Sequence, residues 1–281
     1  MDNQNVTENH TSPPDLSGFG QFLKERNMAA NTITVYQYAV RQFYIMHRAL
    51  SAADLQLHKI YLLEHYKPQT VNLRIRAINC YMEYLNHESN RLSMIKIQQK
   101  MYLDRIISQA DYEYLKRRLW EDEEFSYYFI IRFMTATGVR VSELVEFKVD
   151  DVAAGLKDIY SKGNKMRRVY IPASLKNKTL QWLREQNRSC GALFLNRFGN
   201  PITASGIRER LKTFAARYGL PSEVMYPHSF RHRFAKNFIE ACGDIALLSD
   251  LLGHESIETT RIYLRRSSSE QYRIVNKVVD W

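Results

Sequence analysis

Four short segments of this 281-residue chain carry side chains able to hold and attack a phosphodiester. They are TGVRVSEL (137–144), SKGNKMRR (161–168), HSFR (228–231) and GHESIETTRIY (253–263). Between them they supply Arg140, Lys162, His228, Arg231, His254 and Tyr263. Guanidinium forks clamp phosphate oxygens. Lysine and histidine move protons, and a phenol can act as nucleophile once a base and nearby positive charge assist it. The set contains no cluster of metal-binding carboxylates. It therefore points to metal-free chemistry on a DNA backbone.

The spacing says which elements must present these groups. Pro227 suits a first helical turn, so His228 and Arg231, at i and i+3, share a face near a helix N-terminus. That end attracts phosphate and disfavours a protonated imidazole, which keeps His228 neutral and able to accept a proton. Arg140 follows the Gly138 turn, with Ser142 as the expected cap of the next helix; the plainer reading is a surface pair with Glu143 or Glu146. Lys162 is expected at the tip of a hairpin turning on Gly163-Asn164, with Lys165, Arg167 and Arg168 behind it. His254 is expected at a helix end and Tyr263 on the short helix after it. A phenol of ordinary pKa is only about 0.1% ionised at neutral pH, so Tyr263 needs help, which His228, Arg140 and Arg231 could give.

The chain reads as mainly α with one small β-sheet. Residues 1–14 read as a disordered polar lead, not a signal peptide. Residues 15–90 show helical periodicity and suggest a bundle of about four helices, the second opening on Asn31 as N-cap and another on Pro68. Residues 91–106 are basic, break that pattern and read as a linker. Residues 107–281 form a larger unit: an apolar helix ending at Gly138, the hairpin, and helices over Ala204–Tyr218, Pro227–Ala241 and Ile245–Leu252. Its tail, 265–281, carries an apolar stripe of Ile274, Val275, Val278 and Val279 with Trp281 last.

Net charge is +10 and the pI is about 9.4. Before Ile106 there are 12 basic and 9 acidic residues, leaving 28 and 21 after it, so both halves carry excess positive charge. That suits a protein that wraps a polyanion. Arg74, Lys165, Arg208, Arg210 and Lys212 are the candidate exposed DNA contacts. Cys80, Cys190 and Cys242 stand far apart, which argues against a zinc site or disulfide framework and fits the cytoplasm. No apolar run is long enough for a membrane helix.

Taken in order, Arg140, Lys162, His228, Arg231, His254 and Tyr263 resemble the catalytic set of the tyrosine recombinase (phage integrase) family. TGVRVSEL, SKGNK, PHSFRHRFA and LLGHESIETTRIYL resemble its Xer-like branch almost letter for letter. The resemblance implies a two-domain, C-shaped clamp on double-stranded DNA, with a helical core-binding domain and a catalytic domain. It implies that Tyr263 attacks the scissile phosphate and forms a 3′-phosphotyrosine, without metal or ATP. Arg140 and Arg231 would hold the phosphate, Lys162 protonate the leaving 5′-oxygen, His228 assist at Tyr263, and His254 donate to the phosphate. It further implies a tetrameric synapse, formed by one recombinase or by a pair, with the tail docking on a neighbour. Two rivals stand beside this reading: a type IB topoisomerase-like relaxing enzyme, which shares much of this active-site set, and a non-catalytic DNA-binding regulator on the same scaffold.

Overall fold

The protein is represented by a computed structural model that describes residues 14–87, 90–97, 106–161, 165–254, 256–264 and 275–279. The chain divides into two compact units, 1–99 and 100–281.

Among the described residues, the first unit holds four α-helices: α1 (Ser17–Glu25), α2 (Ala30–Met46), α3 (Ala52–His65) and α4 (Pro68–Tyr84). Helix α2 starts one residue before the expected cap. Ala29 is its N-cap, with no side-chain hydrogen bond, and Asn31 lies in the first turn. The polar cap signal was outweighed by burial of Tyr36, Ala39, Val40 and Phe43 along one face. By contrast, Ser51 caps α3 by accepting from the Asp54 N–H, and Pro68 opens α4 as expected. Two apolar clusters fill the bundle, one around Phe19, Leu23 and Tyr81, the other around Phe43, Leu62, Ile75 and Met82. Past α4 the chain runs back along that helix. Asn79 brackets Leu92, and Asn72 brackets Ile95, each amide exchanging two 2.9 Å hydrogen bonds with the backbone.

The second unit is built around α6 (Phe125–Thr137). Phe129, Ile130, Ile131, Phe133 and Met134 are fully buried there, so the helix is covered on nearly every side. Around it lie α5 (Gln109–Glu121), α7 (Val141–Leu144), α8 (Val149–Ala154), α9 (Ala173–Glu185), α10 (Ala204–Tyr218) and α11 (Pro227–Cys242). Strands β1 (Leu156–Ser161) and β2 (Lys165–Tyr170) pair antiparallel, from Leu156 opposite Tyr170 to Ser161 opposite Lys165. That register encloses residues 162–164, one more than the expected two-residue Gly163-Asn164 turn. Lys162 itself lies outside the described residues. Helices α12 (Ile245–Leu252) and α13 (Ile257–Arg261) and a 3-10 turn (Ile262–Leu264) close the unit. They form a second small apolar cluster with α11, made of Ala235, Ile239, Leu248, Leu252 and Tyr263. Among the tail residues, Val275, Val278 and Val279 are exposed, whereas Ile274 and Trp281 lie outside the described residues.

Candidate active site

The site is assembled around the C-terminal end of α12. The last carbonyls of a helix have no partner within it, and they carry the negative end of its dipole. Here three successive carbonyls each receive a different arginine. Arg167 Nε donates to the Leu251 oxygen (3.2 Å), Arg231 Nη2 to Leu252 (2.7 Å) and Arg140 Nη2 to Gly253 (3.3 Å). Gly253 makes this possible: its φ is +62°, and a Cβ there would meet Arg167 Cδ at 2.5 Å. Gly138 plays the matching part at the end of α6. With φ +64° it caps that helix, accepts from Arg231 Nη1 (2.6 Å), and leaves room for Phe234, which a Cβ would strike at 2.4 Å.

Arg231 is 4% exposed. Burial and the charges of Arg140 and Arg167 pull its pKa down to about 10, so it stays charged at neutral pH. Arg140 stands at the N-cap of α7, where Ser142 was expected to cap; Ser142 instead lies inside that helix. The capping group is Glu143, which accepts from the Arg140 N–H (2.7 Å) and from its Nη1 (2.9 Å). Glu143 also takes both Nη groups of Arg167 in a fork-to-fork pair, at 2.8 and 2.7 Å. Burial alone would raise the Glu143 carboxyl, but Arg167 and Arg140 outweigh it and hold it at about 2. The Arg140–Glu143 pair is therefore part of a brace running from β2 to α7, not an isolated surface contact.

His228 sits just inside the N-terminus of α11, behind Pro227, as the sequence implies. Burial, then Arg231, Arg140 and Arg208, lower its pKa and keep it neutral. His254 follows Gly253. Burial and the surrounding arginines lower it to about 4. Its Nδ1 lies 2.7 Å from Oγ1 of the fully buried Thr260. A Thr260 hydroxyl donated to Nδ1 leaves the ring proton on Nε2, free to donate to an anion.

Tyr263 lies on the 3-10 turn, 8% exposed, with its ring in the apolar cluster of α11 and α12. Burial pushes its pKa up to about 12, against the opposing pull of Arg231. Its hydroxyl is 2.6 Å from Nδ1 of His232. His232 is one turn beyond His228 on α11, and 6.4 Å separates the two ring centroids.

Sequence reasoning thus missed Glu143 as a brace, Arg167, His232 and Thr260. Their signals were weak: Arg167 was one of several cations after the hairpin, and His232 stood beside a stronger HxxR match. Of the candidate DNA contacts, Arg208 and Lys212 are exposed on α10, one turn apart. Arg210 is placed differently on the same helix. It is half-buried, ion-paired with Glu124, and lies over the Phe214 ring. Arg74 is also half-buried, stacked 3.8 Å from the Tyr66 ring centroid. The aromatic neighbours of both are not visible at these positions in the sequence. Lys165 occupies the first position of β2.

The phage integrase family model matches residues 100–270. The chain belongs to the phage integrase family. A tyrosine recombinase of Agathobacter rectalis is 28% identical to it, over 91% of this chain and 92% of its own length. The tyrosine recombinase XerC of Herpetosiphon aurantiacus is 31% identical, over 87% of each chain. In fold, the chain resembles the Tn1549 transposon integrase in complex with circular intermediate DNA, with a TM-score of 0.73 at 16% identity, over 92% of this chain and 97% of that one. This phage integrase family member is a Xer-like tyrosine recombinase, an enzyme of DNA strand cleavage and rejoining. Neither rival reading, relaxing enzyme or regulator, finds support in these likenesses. Among the described residues, no helix is long and apolar enough to cross a membrane.

Proposed function

We propose that Tyr263 is the nucleophile of a site-specific recombination reaction on double-stranded DNA, and that Arg140, Arg231, His228 and His254 form the pocket for the scissile phosphate. The observation that carries this reading is the gathering of Arg140, Arg231 and His254 at one helix end, with the Tyr263 hydroxyl held by the neighbour of Arg231. Fixed guanidiniums need not reorganise when charge builds on a pentavalent phosphorus, so they stabilise the transition state more than the ground state. His254 donates through Nε2. The energy of the broken phosphodiester is kept in the 3′-phosphotyrosine, and the 5′-hydroxyl of a partner strand reverses the step. Lys162, by resemblance, supplies the proton to the leaving 5′-oxygen.

The elevated pKa of Tyr263 gives the resting enzyme an inert nucleophile. The helical unit 15–90 serves as core-binding domain, 91–106 as linker and 107–281 as catalytic domain. Arg208 and Lys212 supply phosphate or base contacts from α10. Four subunits, identical or paired with a second recombinase, assemble on two sites through the tail at 265–281. The enzyme acts in the cytoplasm.

The test is a library of nicked duplexes with randomised cores, in which cleavage releases a short strand and traps the covalent adduct. The wild-type chain should enrich its own sites from this library and carry the adduct on Tyr263. Tyr263→Phe should bind the enriched duplexes and form none. An adduct with Tyr263→Phe rejects the nucleophile, and recombinant joints between two marked duplexes distinguish exchange from relaxation.

A further inference from the structure

We propose that His232 is the base that takes the phenolic proton when the Tyr263 oxygen attacks DNA. This inference rests on the reading of Tyr263 as nucleophile. His232 Nδ1 is 2.6 Å from the Tyr263 hydroxyl, close enough for direct proton transfer, and the two ring centroids are 5.6 Å apart. The phenol has little freedom to turn elsewhere, because its ring is held among Ala235, Ile239, Leu248 and Leu252. His232 is itself carried on a regular turn of α11, directly after Arg231, whose guanidinium is fixed by the carbonyls of Gly138 and Leu252. One rigid helix therefore places a phosphate clamp and a proton acceptor on consecutive residues.

The electrostatics divide the work between the two histidines of α11. His228 feels Arg231, Arg140 and Arg208, which places it in the field of the phosphate pocket. The titratable groups acting on or touching His232 are His228 and Arg231 on its own helix, His254 beyond α12, and Tyr263. Burial, then His228 and Arg231, lower its pKa to about 4, while Tyr263 stands at about 12. At rest the proton therefore belongs to the phenol, and His232 is a neutral acceptor with its own proton on Nε2. A phosphodiester entering the pocket brings a negative charge beside Arg231, offsets the field that holds His232 down, and favours the imidazolium.

The step balances without a co-reactant. The Tyr263 Oη–P bond forms while its O–H bond breaks, with the proton passing to His232 Nδ1. The P–O5′ bond breaks with its electron pair leaving on the 5′-oxygen, which takes a proton from the leaving-group acid. On rejoining, the 5′-hydroxyl attacks and His232 returns its proton to the departing phenolate.

The experiment uses the full chain and the nicked duplexes it enriches, and follows single-turnover adduct formation. His232→Ala and His232→Gln should lower cleavage by roughly 10²- to 10⁴-fold, the range of a lost general base, with duplex binding unchanged. Glutamine can still hold the hydroxyl but cannot accept its proton, so it separates positioning from proton transfer. Added imidazole should restore part of the His232→Ala rate in proportion to its neutral form. The inference is overturned if His232→Gln cleaves at the wild-type rate, because the side chain then only positions Tyr263. It is equally overturned if His232→Ala keeps the wild-type rate, or if a folded, slow His232→Ala gains nothing from imidazole. Absence of a Tyr263 adduct in the wild-type chain would instead sink the recombinase assignment of this tyrosine, and the present inference with it.

Discussion

In the C-terminal unit the side chains of Arg231, Arg167 and Arg233 are almost wholly buried, and each donates to a backbone carbonyl, Arg167 also to Glu143. In the N-terminal unit His58 is fully buried among Phe43, His47 and Tyr61, and neither ring nitrogen has a hydrogen-bond partner. Gln42 Oε1, His47 Nε2 and Arg74 Nη1 nearby are also buried without partners. A buried polar group costs free energy unless it is hydrogen-bonded, and a buried charge costs far more. The C-terminal unit meets that cost with backbone carbonyls, so its charges persist in place. In the helical unit the His58 imidazole meets it by staying neutral: burial, then His47 and Arg74, lower it to about 4. Positive charge is thus held rigidly at the candidate active site, whereas the buried His58 imidazole of the helical unit is kept uncharged.

Several measurements would break or sharpen that contrast. The largest effect is expected for Arg231→Ala, which removes a transition-state cation and orphans the Gly138 and Leu252 carbonyls. Cleavage should fall roughly 10³- to 10⁵-fold while duplex binding persists, read by single-turnover trapping. Arg167→Ala comes next. It removes the bidentate partner of Glu143 and leaves that carboxylate to Arg140 alone; breaking a buried pair costs up to about 3–5 kcal/mol, measurable by denaturant unfolding. Arg167→Lys should recover only part of this, since a point charge cannot replace a bidentate fork. Full recovery would show that the brace needs only charge.

The third prediction concerns acid. His58 titrates near 6.5 in the unfolded chain and at about 4 when folded. Between these values the unfolded chain binds a proton that the folded unit refuses. Stability present above pH 6.5 is therefore lost as pH falls toward 4, at up to about 1.4 kcal/mol per pH unit. His58→Phe should make the melting temperature of the N-terminal unit less steep in that window. An unchanged slope would remove His58 from the contrast. The smallest effect separates two neighbours on α10. Lys212→Ala should lower the salt dependence of DNA binding by about one unit of slope and leave stability alone. Arg210→Ala should lose the Glu124 ion pair and loosen the fold, with the slope unchanged.

Much of this was legible in the sequence, for local reasons. Pro68 opens α4 and Pro227 opens α11 as read, because a proline's fixed φ and the helix it starts are neighbours in the chain. The long apolar run of α6 and the Gly138 stop are equally local. Asn31 and Ser142 failed as caps because packing of Tyr36 and Phe43, and the reach of Glu143, overrode the same signal. Arg74 and Arg210 look like free cations in one dimension. Aromatic rings and an acid distant in sequence take them in three.

By itself the sequence determined the helix periods, the hairpin, and the identity of the residues offered to a phosphate, because spacing along a regular backbone decides which face a side chain takes. Which base meets the phenol, which carboxylate steadies Arg140, and which carbonyls hold three arginines were decided only by tertiary structure. His232 and Tyr263 are 31 residues apart, and Arg167 and Leu251 are 84. No local propensity encodes such pairings; they exist because α11, α12 and β2 bury their apolar faces together and bring these polar ends within hydrogen-bonding distance.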